Sequence, residues 1–115
     1  MYCIDNSSVA VESALANIEM NHMSDRVSVF SGVLDETEAT RLSGQYDLVL
    51  ANIIARVIGS IASNLAQVLA PRGILITSGI IEDRRHEAEE PLMATGLKLI
   101  DQVMIDDWVT LILQK

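Results

Sequence analysis

Few residues in this 115-residue chain are of the kinds that do acid–base, nucleophilic or metal chemistry in groups. The two histidines, His22 and His86, fall in unrelated helical segments, which leaves no basis for a metal cluster or a nucleophile triad. The single cysteine, Cys3, excludes an internal disulfide and a cysteine-based zinc site. Glu82, Asp83, Glu87, Glu89 and Glu90 read as a solvated acidic helix face and not as paired catalytic carboxylates. No metal ligand is assigned. What remains is positional. Asp5 follows the short apolar run Tyr2-Cys3-Ile4, at the carboxyl end of a strand. In doubly wound α/β folds ligands bind at such ends, and an acidic residue there accepts hydrogen bonds from a ribose. One carboxylate takes both ribose hydroxyls at once. The same place suits a turn or capping residue, and the residue types alone leave both readings open.

The elements around Asp5 alternate between short β-rich runs and longer helical ones, a pattern that predicts a parallel α/β sheet. Ser7 is placed to cap a helix in which Val11, Ala14, Leu15 and Ile18 recur at helical spacing, ending near Asn21-His22. Val27–Phe30 reads as a strand that Gly32 ends, and a short helix is expected around Glu36–Leu42. Leu48-Val49-Leu50-Ala51 is an unbroken apolar run of the kind buried on both faces. A second long helix should then present Val57, Ile61, Leu65 and Val68. Pro71-Arg72-Gly73 makes a tight turn with Gly73 free to take positive φ, and Ile74–Thr77 is a buried strand closed by Ser78-Gly79. A third helix is expected over Glu82–Thr95, kinked or broken at Pro91 and stopped by Gly96. Leu97–Ile105 and Trp108–Leu113, joined by Asp106-Asp107, predict an antiparallel hairpin.

Length and composition favour a single domain over residues 1–115 with an ordinary core, since half of the residues are hydrophobic. No apolar run approaches the roughly 18 residues of a membrane helix, and no signal segment opens the chain, so a cytoplasmic protein without membrane contact is expected. Eight Lys and Arg against sixteen Asp and Glu leave a net charge of −8. That charge repels nucleic acid, and with only four aromatic residues a base-stacking platform is unsupported. A basic protein partner would be attracted instead.

Several stretches together resemble one family. Asp5-Asn6-Ser7-Ser8-Val9-Ala10-Val11-Glu12-Ser13-Ala14 with Asn17 and Asn21 is similar to the segment after the second strand of class I methyltransferases. Tyr46–Ile53, Leu69–Gly73, Ser78–Ile81 and Trp108-Val109 extend the likeness along the whole chain. Ala51-Asn52-Ile53 and Ser78-Gly79-Ile80 narrow it to the ribosomal protein L11 methyltransferases. The resemblance implies a Rossmann-like sheet, mostly parallel with a C-terminal antiparallel hairpin, and S-adenosyl-L-methionine as cofactor. It implies that Asp5, with Asn6 beside it, holds the ribose, that Gly32 and Val33 lie along the adenine, and that Asn52 and Ile53 line the place where the acceptor amine meets the methyl group. Ribosomal protein L11 would be the substrate. The alternatives are a part of another class I methyltransferase with a small-molecule or different protein substrate, or a non-catalytic remnant of the fold.

The chain departs from the family pattern in Ser7, Ser8 and Pro91, and above all at its front. A glycine-rich turn is expected about 20 residues before the ribose acid, yet four residues precede Asp5 and no G-x-G-x-x-G occurs. The chain is therefore expected to be a fragment without the first strand and its glycine loop. That strand would lie between the one ending at Asp5 and Leu48–Ala51. Unpaired strand edges recruit partners. Met1–Ile4 is therefore expected to pair directly with Leu48–Ala51, or a second copy of the chain to fill the gap as a homodimer.

Overall fold

Strand β1 (Tyr2–Asp5) and strand β2 (Ser28–Ser31) run parallel, with Tyr2 opposite Ser28 and Asp5 opposite Ser31. Between them runs helix α1 (Ser8–Met20). Its start is fixed by Ser7, whose hydroxyl accepts the Ala10 N–H at 3.3 Å. The Tyr2 and Phe30 rings stack with centroids 4.5 Å apart. The computed structural model describes all residues, 1–115, and these elements make the first of its two units, Met1–Leu34.

The sheltered face of α1 is not centred where the apolar spacing put it. Ala10, Val11, Ala14 and Ile18 are half-buried, whereas Leu15 is 50% exposed. At about 100° per residue, Ala14 and Ile18 lie on one side of Val11 and Leu15 about 40° to the other, beyond the sheltered arc.

The second unit, Asp35–Lys115, contains α2 (Glu36–Arg41), β3 (Tyr46–Asn52), α3 (Ala55–Ser60), α4 (Ala62–Val68), β4 (Leu69–Ile81), α5 (His86–Ala94), β5 (Lys98–Ile105) and β6 (Trp108–Gln114). The sheet order is β3-β4-β6-β5, with β3 and β4 parallel and β6 antiparallel to both neighbours. Leu75, Leu111, Leu113 and Val109 on the strands and Ile58, Leu65, Val68, Ala88 and Leu92 on the helices are all buried, and they make up an aliphatic core. No helix is long and apolar enough to cross a membrane.

Strand β3 is not buried on both faces. Ala51 is buried, but Leu48 and Leu50, which point the other way, are 53% and 68% exposed. Side chains alternate along a strand, and the helices cover one face only. The expected pairing of Met1–Ile4 with Leu48–Ala51 is likewise not formed. β1 pairs with β2 alone and β3 with β4 alone. Each strand already satisfies one edge with its parallel neighbour.

The long helix expected after β3 is two helices, separated at Ile61. Near its end Ser60 Oγ donates to the Val57 carbonyl at 2.8 Å, a local bond that competes with the helical ladder. The third helix is interrupted before Pro91 and not at it. A turn of 3₁₀ helix (Glu82–Arg84) gives way to α5 at Arg85, and α5 then runs through Pro91. Proline brings no N–H to the Glu87 carbonyl. That carbonyl lies against Gly59 of α3, where any Cβ would collide with it, and Pro91 Cγ is 3.3 Å from the same point. Glycine, costly inside a helix, is what lets α3 and α5 meet backbone to backbone. The tight turn expected at Pro71–Gly73 lies inside β4, where the register against β3 shifts, and the positive φ falls on Arg72 (65°). Gly73 serves close approach instead, since a Cβ there would lie 2.9 Å from the carbonyl oxygens of Ala70 and Tyr46.

Candidate functional site

The residues singled out from the sequence gather at the carboxyl ends of parallel strands, in one group on each unit. In the first unit Asp5 ends β1. Its Oδ1 accepts the Ser7 N–H at 2.8 Å, the turn bond that the alternative reading of Asp5 required. Its backbone carbonyl accepts the Gly32 N–H at 2.9 Å, which ties Asp5 to the end of β2. The side chain is exposed, and Oδ2 remains available to further donors. Asn6 and Val33 are exposed beside it. At Gly32 a Cβ would find only Ile4 Cδ1, at 3.9 Å, so the backbone there borders open space. An exposed carboxylate oxygen beside a bare stretch of backbone fits a ribose and the flat base attached to it.

In the second unit Asn52 ends β3, opposite Ser78 of β4 in parallel register. Asn52, Ile53 and Ile54 are exposed, and α3 begins directly after them without a side-chain cap. The next residue of β4, Gly79, approaches so closely that a Cβ on it would lie 2.9 Å from Asn52 Oδ1 and 3.0 Å from the Ile53 carbonyl oxygen. The sequence marked Ser78-Gly79 as the close of a strand and as part of a family-like stretch, and gave it no part in the site. The approach to Asn52 had no signal in it beyond a glycine at a strand end.

Neither group holds a cluster of acids, histidines or cysteines suited to a metal ion. The strongest local electrostatics lie elsewhere. The Arg85 guanidinium has its pKa raised, first by its hydrogen bond to Glu89 and against the effect of burial, and it also donates to Gln102 Oε1 at 2.5 Å. What the two groups offer is positioning: one carboxylate, exposed backbone, and the oxygens of Asn52 and Ile53.

Residues 1–115 match the family model described as ribosomal protein L11 methyltransferase (PrmA). The chain belongs to this family. It is 37% identical over 113 residues to the ribosomal protein L11 methyltransferase of Brevibacillus brevis, covering 97% of this chain and 34% of that protein. With the ribosomal protein L11 methyltransferase of Desulfitobacterium hafniense it shares 41% over 108 residues, 94% of this chain and 33% of that one. It thus spans about a third of the length of the curated relatives it matches. Among solved structures, the ribosomal protein L11 methylase of Lactobacillus delbrueckii subsp. bulgaricus superposes with a TM-score of 0.84 at 21% identity. That match covers 97% of this chain and 56% of the other, and it shows the class I methyltransferase fold.

Proposed function

We propose that the chain is part of an enzyme that transfers the methyl group of S-adenosyl-L-methionine to protein amino groups, with ribosomal protein L11 as the acceptor. The observation that carries this reading is the joining of Asp5 to Gly32 at the carboxyl ends of two adjacent parallel strands, where ligands of this class of sheet bind. Both units are assigned to one catalytic domain, because the family match runs through both. The net charge of −8 suits a basic acceptor such as a ribosomal protein, and the cytoplasm is where the two would meet.

In this reading Asp5 accepts the ribose hydroxyls with Asn6 alongside, and the backbone of Gly32 and Val33 lies along the adenine. Asn52 and Ile53 line the place of methyl transfer. When bound, the cofactor supplies a methyl group already activated by its sulfonium. The protein is left with alignment and needs no strong base: the Asn52 carboxamide oxygen and the Ile53 carbonyl accept N–H groups of the neutral amine and aim its lone pair. Alignment of this kind supplies much of the reduction in barrier.

Titration of the isotopically labelled chain with S-adenosyl-L-methionine, followed through its amide resonances, tests the assignment. With no glycine-rich loop in the 115 residues, Kd is expected above about 0.1 mM, weaker than roughly −5.5 kcal/mol. Shifts should centre on Asp5, Asn6, Gly32 and Val33, and Asp5→Ala should weaken binding about tenfold or more, as for loss of a hydrogen bond to a charged group. An unchanged affinity together with a lower melting temperature would make Asp5 a turn residue only. Micromolar binding by the unaltered chain would overturn the importance given to the glycine loop.

A further inference from the structure

Ser78 and Gly79 have no task in the reaction as described, yet their geometry is unusual. The register of β4 against β6 shifts between Thr77 and Ile80, and Gly79 has φ of +79°, so the pair forms a bulge. Bulges re-aim the strand and what it touches. Thr110 Oγ1 lies 3.4 Å from Ser78 Oγ on one side of the bulge, and on the other Ser78 stands opposite Asn52. A Cβ on Gly79 would meet Asn52 Oδ1 at 2.9 Å, the Ile53 carbonyl oxygen at 3.0 Å and the Ile53 carbonyl carbon at 3.3 Å. Two of those three atoms are backbone and cannot swing aside.

Two other glycines separate the possible reasons for this one. Gly44 and Gly96 also have positive φ, +68° and +92°, but a Cβ on either would find nothing within 4 Å. Backbone conformation accounts for both. At Gly79 conformation is half of the requirement, and the absence of a side chain is the other half.

We propose that Gly79 is a positioning residue for the amine site: its bare backbone, delivered by the bulge, sets where the Asn52 carboxamide and the Ile53 carbonyl sit. The importance of this for methyl transfer rests on the reading of Asn52 and Ile53 given above. A side chain at residue 79 displaces both oxygens together. Ordinary strain at a positive-φ position displaces neither.

The test uses the 115-residue chain with Gly79→Ala and Gly79→Asn, and with Gly44→Ala and Gly96→Ala as controls. Asparagine tolerates positive φ better than most residues, so Gly79→Asn isolates the steric part. Both Gly79 variants should move the side-chain amide resonances of Asn52 and the carbonyl resonance of Ile53, and the controls should leave them in place. The fall in melting temperature from Gly79→Ala should shrink in an Asn52→Ala background, as for residues in direct contact. Unmoved resonances with additive melting shifts would overturn the proposal. Should neither Gly79 variant fold, the unaltered chain still decides it: an Asn52 carboxamide as mobile on the nanosecond scale as that of exposed Asn6 would mean that nothing holds it. In a longer methyl-transferring polypeptide that contains this chain, Gly79→Ala should lower kcat with the KM for S-adenosyl-L-methionine unchanged. If the resonances move and turnover does not, the positioning stands and it is the acceptor-site reading that fails.

Discussion

Between Met1 and Leu34 no residue is buried, while all 18 buried apolar residues lie between Asp35 and Lys115. The first unit is held by local devices: a strand pair, a stacked ring pair, a capped helix and the turn at Asp5. The second is held by burial, with two helices in backbone contact at Gly59. The two candidate groups inherit these differences. Asp5 is fixed by hydrogen bonds to its neighbours and by little else. Asn52 is fixed between a strand partner and a bulge. A side chain without packing behind it is free to adjust, whereas one wedged against backbone is set in place.

The sharpest way to break this comparison is to cut the same residue type in both units. Leu111 is fully buried, so Leu111→Ala should cost about 3 kcal/mol, the transfer and cavity terms together. Leu15 is 50% exposed, and Leu15→Ala should cost less than about 0.5 kcal/mol. Denaturant titration followed by circular dichroism measures both. Similar losses would mean that the first unit is packed in solution.

A smaller effect sharpens the same point. Asp35 caps α2 by accepting the Glu38 N–H at 2.8 Å, as Ser7 caps α1. Asp35→Ala should lower global stability by about 1 kcal/mol. Ser7→Ala should reduce helical signal and leave the midpoint nearly unmoved, because no residue of α1 is buried. Equal midpoint shifts would erase the distinction.

The smallest effect is electrostatic. Arg85 has its pKa raised, so its stabilisation is fully present below the ordinary guanidinium range and is lost only as pH climbs past the still higher folded value. Between about pH 6 and pH 10 the Arg85–Glu89 pair should therefore contribute a constant amount. Its side chains are 22% and 26% exposed, and Arg85→Met should cost at most about 1 kcal/mol. A cost that changes across that range, read from melting curves at both ends, would place another titrating group in the pair.

Local chemistry was legible from the residues, and tertiary contact was not. Ser7 as a cap, Asp5 at a strand end and the hairpin at Asp106-Asp107 each follow from what one residue does to its own neighbours, and each is found. Pro91 misled because its cost was counted within its own helix. The carbonyl it leaves without a helical donor faces a glycine of another helix, and no spacing rule reports that. Leu48 and Leu50 misled for a related reason: an apolar run states what a strand can bury, not how many layers cover it. In the candidate groups Asp5 and Asn52 were visible as strand ends. Gly79 was visible as a strand-ending glycine in a family-like stretch, but its contact was not, since that lies in an atom of residue 52.

None of the four aromatic residues belongs to the core. Tyr2 and Phe30 lie in the first unit, Tyr46 is half-buried on β3, and Trp108, at 55% exposure, opens β6 opposite Ile81 and Ile105. The interior of the larger unit therefore holds no aromatic fluorophore. The only indole is already 55% exposed in the folded chain, so its fluorescence follows the turn end of the hairpin and should change little when the core comes apart. The stacked pair Tyr2–Phe30 reports on the other unit. An observer relying on intrinsic fluorescence would watch a strand pair in one unit and a hairpin turn in the other, and miss the loss of the aliphatic core.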